Sequence, residues 1–301
     1  MLQKITDRVW LLPQEEELDR PYLYYIKGDD YSLAVDAGSS PAHVEKFYAA
    51  LQTEGLPLPE KTVLTHWHWD HSFGLSAIHG ESWAGKMSND TLREVSHWRW
   101  TLEDMLQREE QGLDSSFCRQ YMCLEYPDLS QIRVLPAQHE LEEETELDLG
   151  GCLCRLIPRD SPHSRDAVAV YLPGEKVLFT GDAAGVDFLG FNRRHDPARL
   201  QPWLEFVRSL DVEWILSGHR PPQRKADELR WLEEKLQIAI EQQKQQETDP
   251  DLEEFKDYLQ GSAKGTGLVA AGIFLAAVAV GAALLLSEEF RQFCLGLLGL
   301  N

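Results

Sequence analysis

The chain has 301 residues, with 50 Asp and Glu against 29 Lys and Arg, so its formal charge is −21 at pH 7. A surface this acidic repels phosphate backbones, and we therefore expect no nucleic acid among its general partners. A small anionic substrate stays compatible with the charge, because a bound metal ion dominates the field of its own site. The five cysteines are an odd number in a large chain, which argues against a disulfide framework.

Residues 1–220 alternate short β-type runs with helical patterns, which is typical of a layered α/β fold. Apolar runs predict strands at 9–12, 22–26 and 33–35. Helices are predicted to begin at Ser40-Pro41 and at Asp196-Pro197, where a capping side chain precedes a proline in the first turn.

A helical insertion is predicted at about residues 88–130. Apolar residues from Leu92 to Leu106 keep helical spacing, and residues 117–124 suggest a second, short helix. Inserted helices at this place would roof a pocket, with His97, Trp98 or Trp100 facing it. The alternative is that these aromatic side chains pack the insertion onto the body of the domain.

The motif richest in chemistry runs from His66 to His71 with the pattern HxHxDH, directly after the apolar stretch 62–65. In an extended segment, positions i and i+2 point the same way, so His66 and His68 can converge on one ion. Asp70 and His71 follow where the chain should turn, and they can face a second ion. The segment therefore predicts two ligands for each of two adjacent metal ions.

Four apolar runs each end in a side chain that can bind metal. The side chains that follow these runs are Asp36, His66, Asp182 and His219. Buried strands read as continuous apolar runs. If the four strands lie side by side, their ends place the four side chains along one rim of a sheet.

The C-terminal part changes character. Residues 224–246 are predicted to form one long helix, and a short acidic helix and a small-residue linker follow. Residues 266–287 carry no charge, and in a helix they would span about 33 Å, enough for a bilayer core. We expect a transmembrane helix at 266–287 with a short tail at 288–301; a buried core helix, or one docked on a partner, is the alternative. The protein would then be a single-pass, tail-anchored membrane protein with its catalytic domain in the cytoplasm.

In this order, the motifs resemble those of the metallo-β-lactamase superfamily over residues 1–222. They are an early Asp, HxHxDH, a lone His, a lone Asp and a final His, found here as Asp36, His66/His68/Asp70/His71, His163, Asp182 and His219. The resemblance implies a four-layer αβ/βα sandwich, the metallo-β-lactamase fold, with a C-terminal helical extension at 223–262. His139 is the rival of His163 as the lone His, and its polar surroundings make it the weaker choice.

The resemblance also implies a dinuclear site in the groove between two sheets. One ion would be held by His66, His68 and His163, and the other by Asp70, His71 and His219, with Asp182 bridging them. Asp36 would orient ligands through hydrogen bonds. Imidazole and carboxylate ligands without thiolate suit two Zn²⁺ ions first, with iron or manganese as alternatives.

Two metals side by side predict a hydrolase in which a metal-bridging hydroxide attacks the substrate and Asp70 carries a proton. Asp182 stands at the bridging position, where glyoxalase II and the lactonases also have an Asp. This similarity implies a small ester, thioester or lactone as substrate. The alternatives are a phosphodiesterase or nuclease-like hydrolase and a membrane-tethered metal-binding module without catalysis.

Three further side chains are candidates for substrate binding. Arg193 and His195 follow Asp182 on an expected loop, where they could bind a substrate carboxylate or be ordinary exposed loop residues. Trp67 lies between two predicted ligands, and it either walls the pocket or packs beneath it.

Overall fold

The computed structural model describes residues 1–165, 167–187 and 194–247. Within the chain, two compact units are distinguished, Met1–Leu236 and Gln237–Asn301. All strands and all residues of the predicted site that are described lie in the first unit. The described part of the second unit is the end of one helix.

The first sheet has seven strands in chain order: β1 (Gln3–Lys4), β2 (Val9–Leu12), β3 (Leu23–Lys27), β4 (Ser32–Val35), β5 (Lys61–Val63), β6 (Glu81–Gly85) and β7 (His139–Leu141). The strands β1 to β4 pair antiparallel, and β4 to β7 pair parallel. The three strands predicted in this part of the chain are confirmed to within one residue at each end.

The second sheet has six strands: β8 (Thr145–Asp148), β9 (Leu153–Arg159), β10 (Ala167–Leu172), β11 (Val177–Gly181), β12 (Trp214–Ser217) and β13 (Gln223–Arg224). Their spatial order is β13-β12-β11-β10-β9-β8, with β11 and β12 parallel and the other pairs antiparallel. The N-terminal part of the chain thus builds one sheet and the C-terminal part builds the other.

Seven α-helices are found in the described residues: α1 (Pro41–Thr53), α2 (Trp69–Ser72), α3 (Lys86–Val95), α4 (Leu102–Glu110), α5 (Ser116–Glu125), α6 (Pro197–Ser209) and α7 (Lys225–Glu247). The predicted starts of α1 and α6 are confirmed, because the side chains of Ser40 and Asp196 accept the hydrogen bonds of N-caps. The long helix predicted at 224–246 corresponds to α7.

The insertion differs from its prediction in one respect. The helical spacing from Leu92 to Leu106 suggested one helix, but the chain leaves the helix after Val95 and starts again at Leu102. Leu102 and Leu106 are exposed, whereas Leu92 and Val95 are buried. The spacing was therefore a coincidence of two separate helices, and of the second helix's apolar residues at these positions only Met105 is buried.

The two sheets pack face to face around the main core, to which strands of both sheets contribute, for example Ile26 and Leu33 from the first and Val170 and Phe179 from the second. Helix α1 covers the outer face of the first sheet, where Phe47 and Leu51 pack with residues of β2, β3 and β4. On the second sheet, the Arg159 guanidinium of β9 lies 4.2 Å from the ring centroid of Phe206 in α6. The layers are helix, sheet, sheet and helix, which confirms the predicted four-layer sandwich.

The predicted membrane helix at 266–287 lies outside the described residues. Among residues 1–165, 167–187 and 194–247, no helix is both long and apolar enough to cross a membrane.

Candidate metal centre

Strand ends position the predicted ligands, and they do so from both sheets. The strands β4 and β5 are parallel neighbours in the first sheet, so Asp36 and the segment from His66 onwards emerge at the same edge. The strands β11 and β12 are parallel neighbours in the second sheet, and Asp182 and His219 follow them. The expectation of one rim on one sheet was wrong, because the four strands divide between two sheets whose edges meet at the site.

Three imidazoles form the first ligand group, His66, His68 and His163. His66 Nε2 lies 3.0 Å from His68 Nδ1, and His163 Nε2 lies 2.8 Å from the same atom. Burial lowers the pKa of all three imidazoles, that of His68 to about 3. At neutral pH the three rings are therefore uncharged, as metal ligands must be.

The other ring nitrogens of this group show which atoms carry protons. The Thr65 hydroxyl donates to Asp36 Oδ2 and lies 3.1 Å from His66 Nδ1, so its oxygen accepts the Nδ1 proton of His66. His163 Nδ1 lies 2.6 Å from the Val186 carbonyl oxygen, which can only accept. The Nε2 atoms of both rings are left with lone pairs that face His68 Nδ1. A proton on His68 Nδ1 could bond to only one of them, whereas a cation between the three nitrogens would be bound by all three.

The second ligand group contains Asp70, His71, Asp182 and His219. Asp70 Oδ2 lies 2.8 Å from His219 Nε2 and 3.2 Å from His71 Nε2. Asp182 Oδ2 is 3.5 Å from both of these ring nitrogens. All four donor atoms can therefore reach a common point, although their roles as ligands and the bridging role of Asp182 stay predictions.

The charges of the second group depend on each other. Burial opposes ionisation of the Asp70 and Asp182 carboxyls, but the nearby imidazoles outweigh it and hold both pKa values below the usual range. Burial likewise opposes protonation of His71 and His219. The carboxylates nevertheless raise the pKa of His71 well above its ordinary value and that of His219 to about 9. Without metal, the imidazolium charges replace the positive charge that a cation would bring.

Asp36 lies behind the second group and is buried. Its Oδ2 is 2.8 Å from His71 Nδ1, and its Oδ1 accepts the backbone N–H of Thr65 at 2.7 Å. A carboxylate on Nδ1 fixes the tautomer of the ring and directs Nε2 towards a metal. His71 Nε2 is buried, and although the Asp70 and Asp182 carboxylates lie 3.2 and 3.5 Å away, it makes no well-aligned hydrogen bond with any described residue. A buried ring nitrogen without a hydrogen bond fits a site that is completed by a bound cation.

Glycine is required where β12 meets the site. A Cβ atom added at Gly218 would lie 2.6 Å from His71 Cε1 and closer still to Asp182 Oδ1. A side chain at this position would push the ligands apart. The Ser217-Gly218-His219 sequence is thus explained by the space between two ligand segments.

An apolar cavity of about 360 Å³ adjoins the second ligand group, within the usual range for small-molecule sites. Asp70, Asp182 and His219 line one part of it, and aromatic side chains of the insertion line another. Trp98 and Trp100 face this cavity, and Trp100 also packs against Phe73 at 5.2 Å between ring centroids. The insertion aromatics therefore have both of the roles considered: they line the cavity, and Trp100 also packs the insertion onto the body of the domain.

The remaining candidates fall in different places. Trp67 lines the cavity. His195 Nε2 lies 3.0 Å from the Ala184 carbonyl oxygen, so the ring makes a hydrogen bond to the backbone. Its part in substrate binding stays a prediction. His97 is exposed, and His139 stacks on Trp83 in the first sheet, outside both ligand groups. Arg193 lies outside the described residues.

One residue at the site, Asp19, was not found from the sequence. Asp19 has a left-handed backbone with φ 54° and lines the cavity, and its Oδ1 is 3.7 Å from His219 Nδ1. Burial, with the Asp70 charge adding to it, raises the pKa of Asp19 to about 7. Arg220 also lines the cavity, but its guanidinium is held by Glu228 at 2.6 Å. No local sequence pattern marks Asp19, because His219, which it contacts, lies far away in the sequence.

Comparison with known proteins agrees with this site. The family model described as the metallo-beta-lactamase superfamily matches residues 19–219, which is more than half of the chain. The chain therefore belongs to the metallo-β-lactamase superfamily, and the sequence resemblance is confirmed at the level of the family. The family and the His/Asp cluster together indicate a metal site and a metal-dependent hydrolase.

Particular relatives extend the comparison. The chain is 25% identical to "Acyl-coenzyme A thioesterase MBLAC2" of Gallus gallus over 219 residues, 68% of this chain and 74% of the relative. The DIM-1 metallo-beta-lactamase is 19% identical with a TM-score of 0.53, covering 79% of this chain and 97% of its own. The family protein TTHA1429 from Thermus thermophilus is 19% identical with a TM-score of 0.56, covering 81% and 82%. At these identities, the two structures support the fold alone.

Proposed function

We propose that the chain is a hydrolase with two zinc ions that cleaves a small ester, thioester or lactone, with a thioester as the first choice. The observation that carries the proposal is the pair of ligand groups, His66/His68/His163 and Asp70/His71/Asp182/His219, at an apolar cavity. The relative whose name describes a thioesterase favours the thioester.

In this proposal His66, His68 and His163 hold one ion, and Asp70, His71 and His219 hold the other, with Asp182 between them. Bound zinc would supply an acidified water and polarise the carbonyl group under attack. Asp70 lines the cavity, and its carboxylate would accept a hydrogen bond from that water and later carry its proton. The Asp36 carboxylate fixes the His71 ring during this step.

Metal analysis and a substrate panel test the proposal. We expect close to two metal ions per chain, and hydrolysis of acyl thioesters above that of lactones and of bis-p-nitrophenyl phosphate. Activity only on the phosphodiester would replace the proposal by a phosphodiesterase. Retained metal without turnover on any substrate would replace it by a metal-binding module.

A pair of histidine variants separates site chemistry from general effects. His68→Ala removes the nitrogen on which the first group converges, so we expect activity to fall at least a hundredfold with retained folding. His139→Ala is the matched control, because His139 stacks on Trp83 outside both groups, and it should keep full activity. Normal turnover by His68→Ala would contradict the assignment.

We also propose that residues 266–287 anchor the protein in a membrane, with domain 1–222 and its extension 223–262 on the cytoplasmic side. The support is the sequence: no charged residue occurs from Thr266 to Ser287. Fractionation of the full chain from cells should place it in the membrane pellet, and release by high salt alone would contradict an integral anchor.

A further inference from the structure

We infer that the cavity beside the metal centre is an acyl chamber, which binds the apolar acyl chain of a thioester while the thiol portion stays outside it. The chamber is the part of the cavity walled by Phe73, Val95, Trp98, Trp100, Phe117 and Met122. The inference rests on the proposed thioester hydrolysis and adds to it the chemical class of the acyl group.

The walls of the chamber are apolar and come mainly from the insertion. Val95 ends α3, and Phe117 and Met122 belong to α5. Val95 and Met122 are only 1% and 3% exposed, while Phe117 is 37% exposed. Because the same cavity includes ligand residues, an acyl carbonyl at the metals would direct its chain along these walls.

Two polar side chains of the insertion, Cys118 and Asp114, line the cavity beside the chamber walls. Burial raises the pKa of the Cys118 thiol to about 12, so it stays protonated and behaves as an apolar wall. Asp114 Oδ1 accepts the Ser115 backbone N–H at 2.8 Å, and its buried Oδ2 has no hydrogen-bond partner among the described residues but lies 3.9 Å from the Arg108 guanidinium, which offsets its charge. These groups leave an acyl chain in contact with apolar surface.

Away from the metal ligands, no described Lys or Arg side chain of the cavity offers a free charge for an anionic group. Arg220 is the one Lys or Arg among the cavity residues of the described chain. Two bonds from its Nη2, at 2.6 and 2.7 Å, go to the Glu228 carboxylate, and its guanidinium lies 4.0 Å from the Trp231 ring centroid. An unpaired anion buried here would lose its hydration without a partner. The charged parts of a large thiol such as coenzyme A therefore belong outside the chamber, and the neutral acyl chain belongs inside.

A series of straight-chain acyl thioesters from two to twelve carbons, with the metal-loaded full chain, tests the inference. Burying each methylene should raise kcat/KM about fourfold until the chain fills the chamber, after which the profile should level. A second readout needs no turnover: 11-bromoundecanoate should quench the fluorescence of the tryptophans in the walls, and bromoacetate at the same concentration should not.

Two variants should move the length profile in opposite directions. Met122→Trp fills the chamber and should lower the ratio of decanoyl to butanoyl kcat/KM at least tenfold. Val95→Ala enlarges the chamber and should move the optimum to longer chains. Leu124→Trp is the matched control on the same helix, because Leu124 is 53% exposed, and it should leave the profile unchanged. Thermal unfolding of each variant verifies folding, and the Val95→Ala result stands if Met122→Trp does not fold.

The outcomes separate this inference from the function on which it rests. Thioester hydrolysis with a flat length profile and no quenching would overturn the acyl chamber and leave the thioesterase proposal standing. Quenching by 11-bromoundecanoate without hydrolysis of any thioester would overturn the thioesterase proposal and support an apolar chamber. A rising profile that both variants shift in the expected directions supports the inference.

Discussion

The Asp36→Asn substitution tests whether the carboxylate behind the site orients its metal ligand. Asp36 has φ 67°, a conformation that Asn adopts nearly as readily as Asp, so the change should leave the backbone in place. Asn can still accept the Thr65 N–H that Asp36 accepts at 2.7 Å. What is lost is the charged oxygen that lies 2.8 Å from His71 Nδ1 and also accepts the Thr65 hydroxyl.

The size of the effect on metal binding follows from the contact with His71. A hydrogen bond to a charged group contributes about 1.5–3 kcal/mol, and loss of a carboxylate behind a metal-binding His typically lowers metal affinity about 10- to 100-fold. A fall of 10- to 100-fold corresponds to about 1.4–2.8 kcal/mol, so the two figures agree. We therefore expect Asp36→Asn to weaken zinc binding by this factor and to lower activity when zinc is limiting.

Competition with a fluorescent zinc chelator measures the affinity, and thermal unfolding of the metal-free protein verifies folding. Asp90→Asn serves as the control, because Asp90 is an exposed residue of α3 that pairs with Lys86 and Arg93. The reasoning would be refuted by a folded Asp36→Asn protein that binds zinc as tightly as the parent chain.

Three further changes have definite expected outcomes. Burial, with Arg20 adding to it, lowers the pKa of His43 to about 3, so only the unfolded state takes up its proton below pH 6.5. As the pH falls from 6 to 4, His43 alone should lower the free energy of unfolding by about 1.4 kcal/mol per pH unit. Denaturant titration of His43→Leu should therefore show a slope smaller by one proton, and equal slopes would contradict this. Arg20→Ala leaves the Glu125 carboxylate, 2.8 Å away and fully buried, without its cation, and should lower stability by roughly 3–5 kcal/mol in denaturant unfolding. The exposed Arg208→Ala should change stability by less than about 1 kcal/mol, and a similar loss in both variants would argue against a buried pair. Deletion of residues 262–301 should give a protein that stays in the supernatant after centrifugation and keeps full hydrolase activity. An inactive or aggregated product would contradict the proposal that this segment is an anchor the enzyme can lose.

The parts of the site that sequence could predict are those with local causes. The rings of His66 and His68 converge as their spacing of two residues predicted, and Ser40 caps the start of α1 by accepting the His43 backbone N–H. Strand ends were recognised because Asp182 and His219 follow apolar runs.

What sequence could not predict depends on contacts between distant segments. The division of the four ligand strands between two sheets is decided by strand pairing, which no single run reveals. Asp19 reaches His219 only after both halves of the domain have folded. The break between Val95 and Leu102 shows that helical spacing alone does not establish one continuous helix.

The separate origin of the two sheets has a consequence for how the protein could be divided. The chain passes from β7 to β8 through the exposed residues Glu142–Glu144. A cut there would yield two fragments, one carrying the HxHxDH segment and the other carrying His163, Asp182 and His219. Neither fragment would contain a complete ligand group, so zinc should promote their reassociation. Recovery of activity from the two fragments would then report metal binding directly.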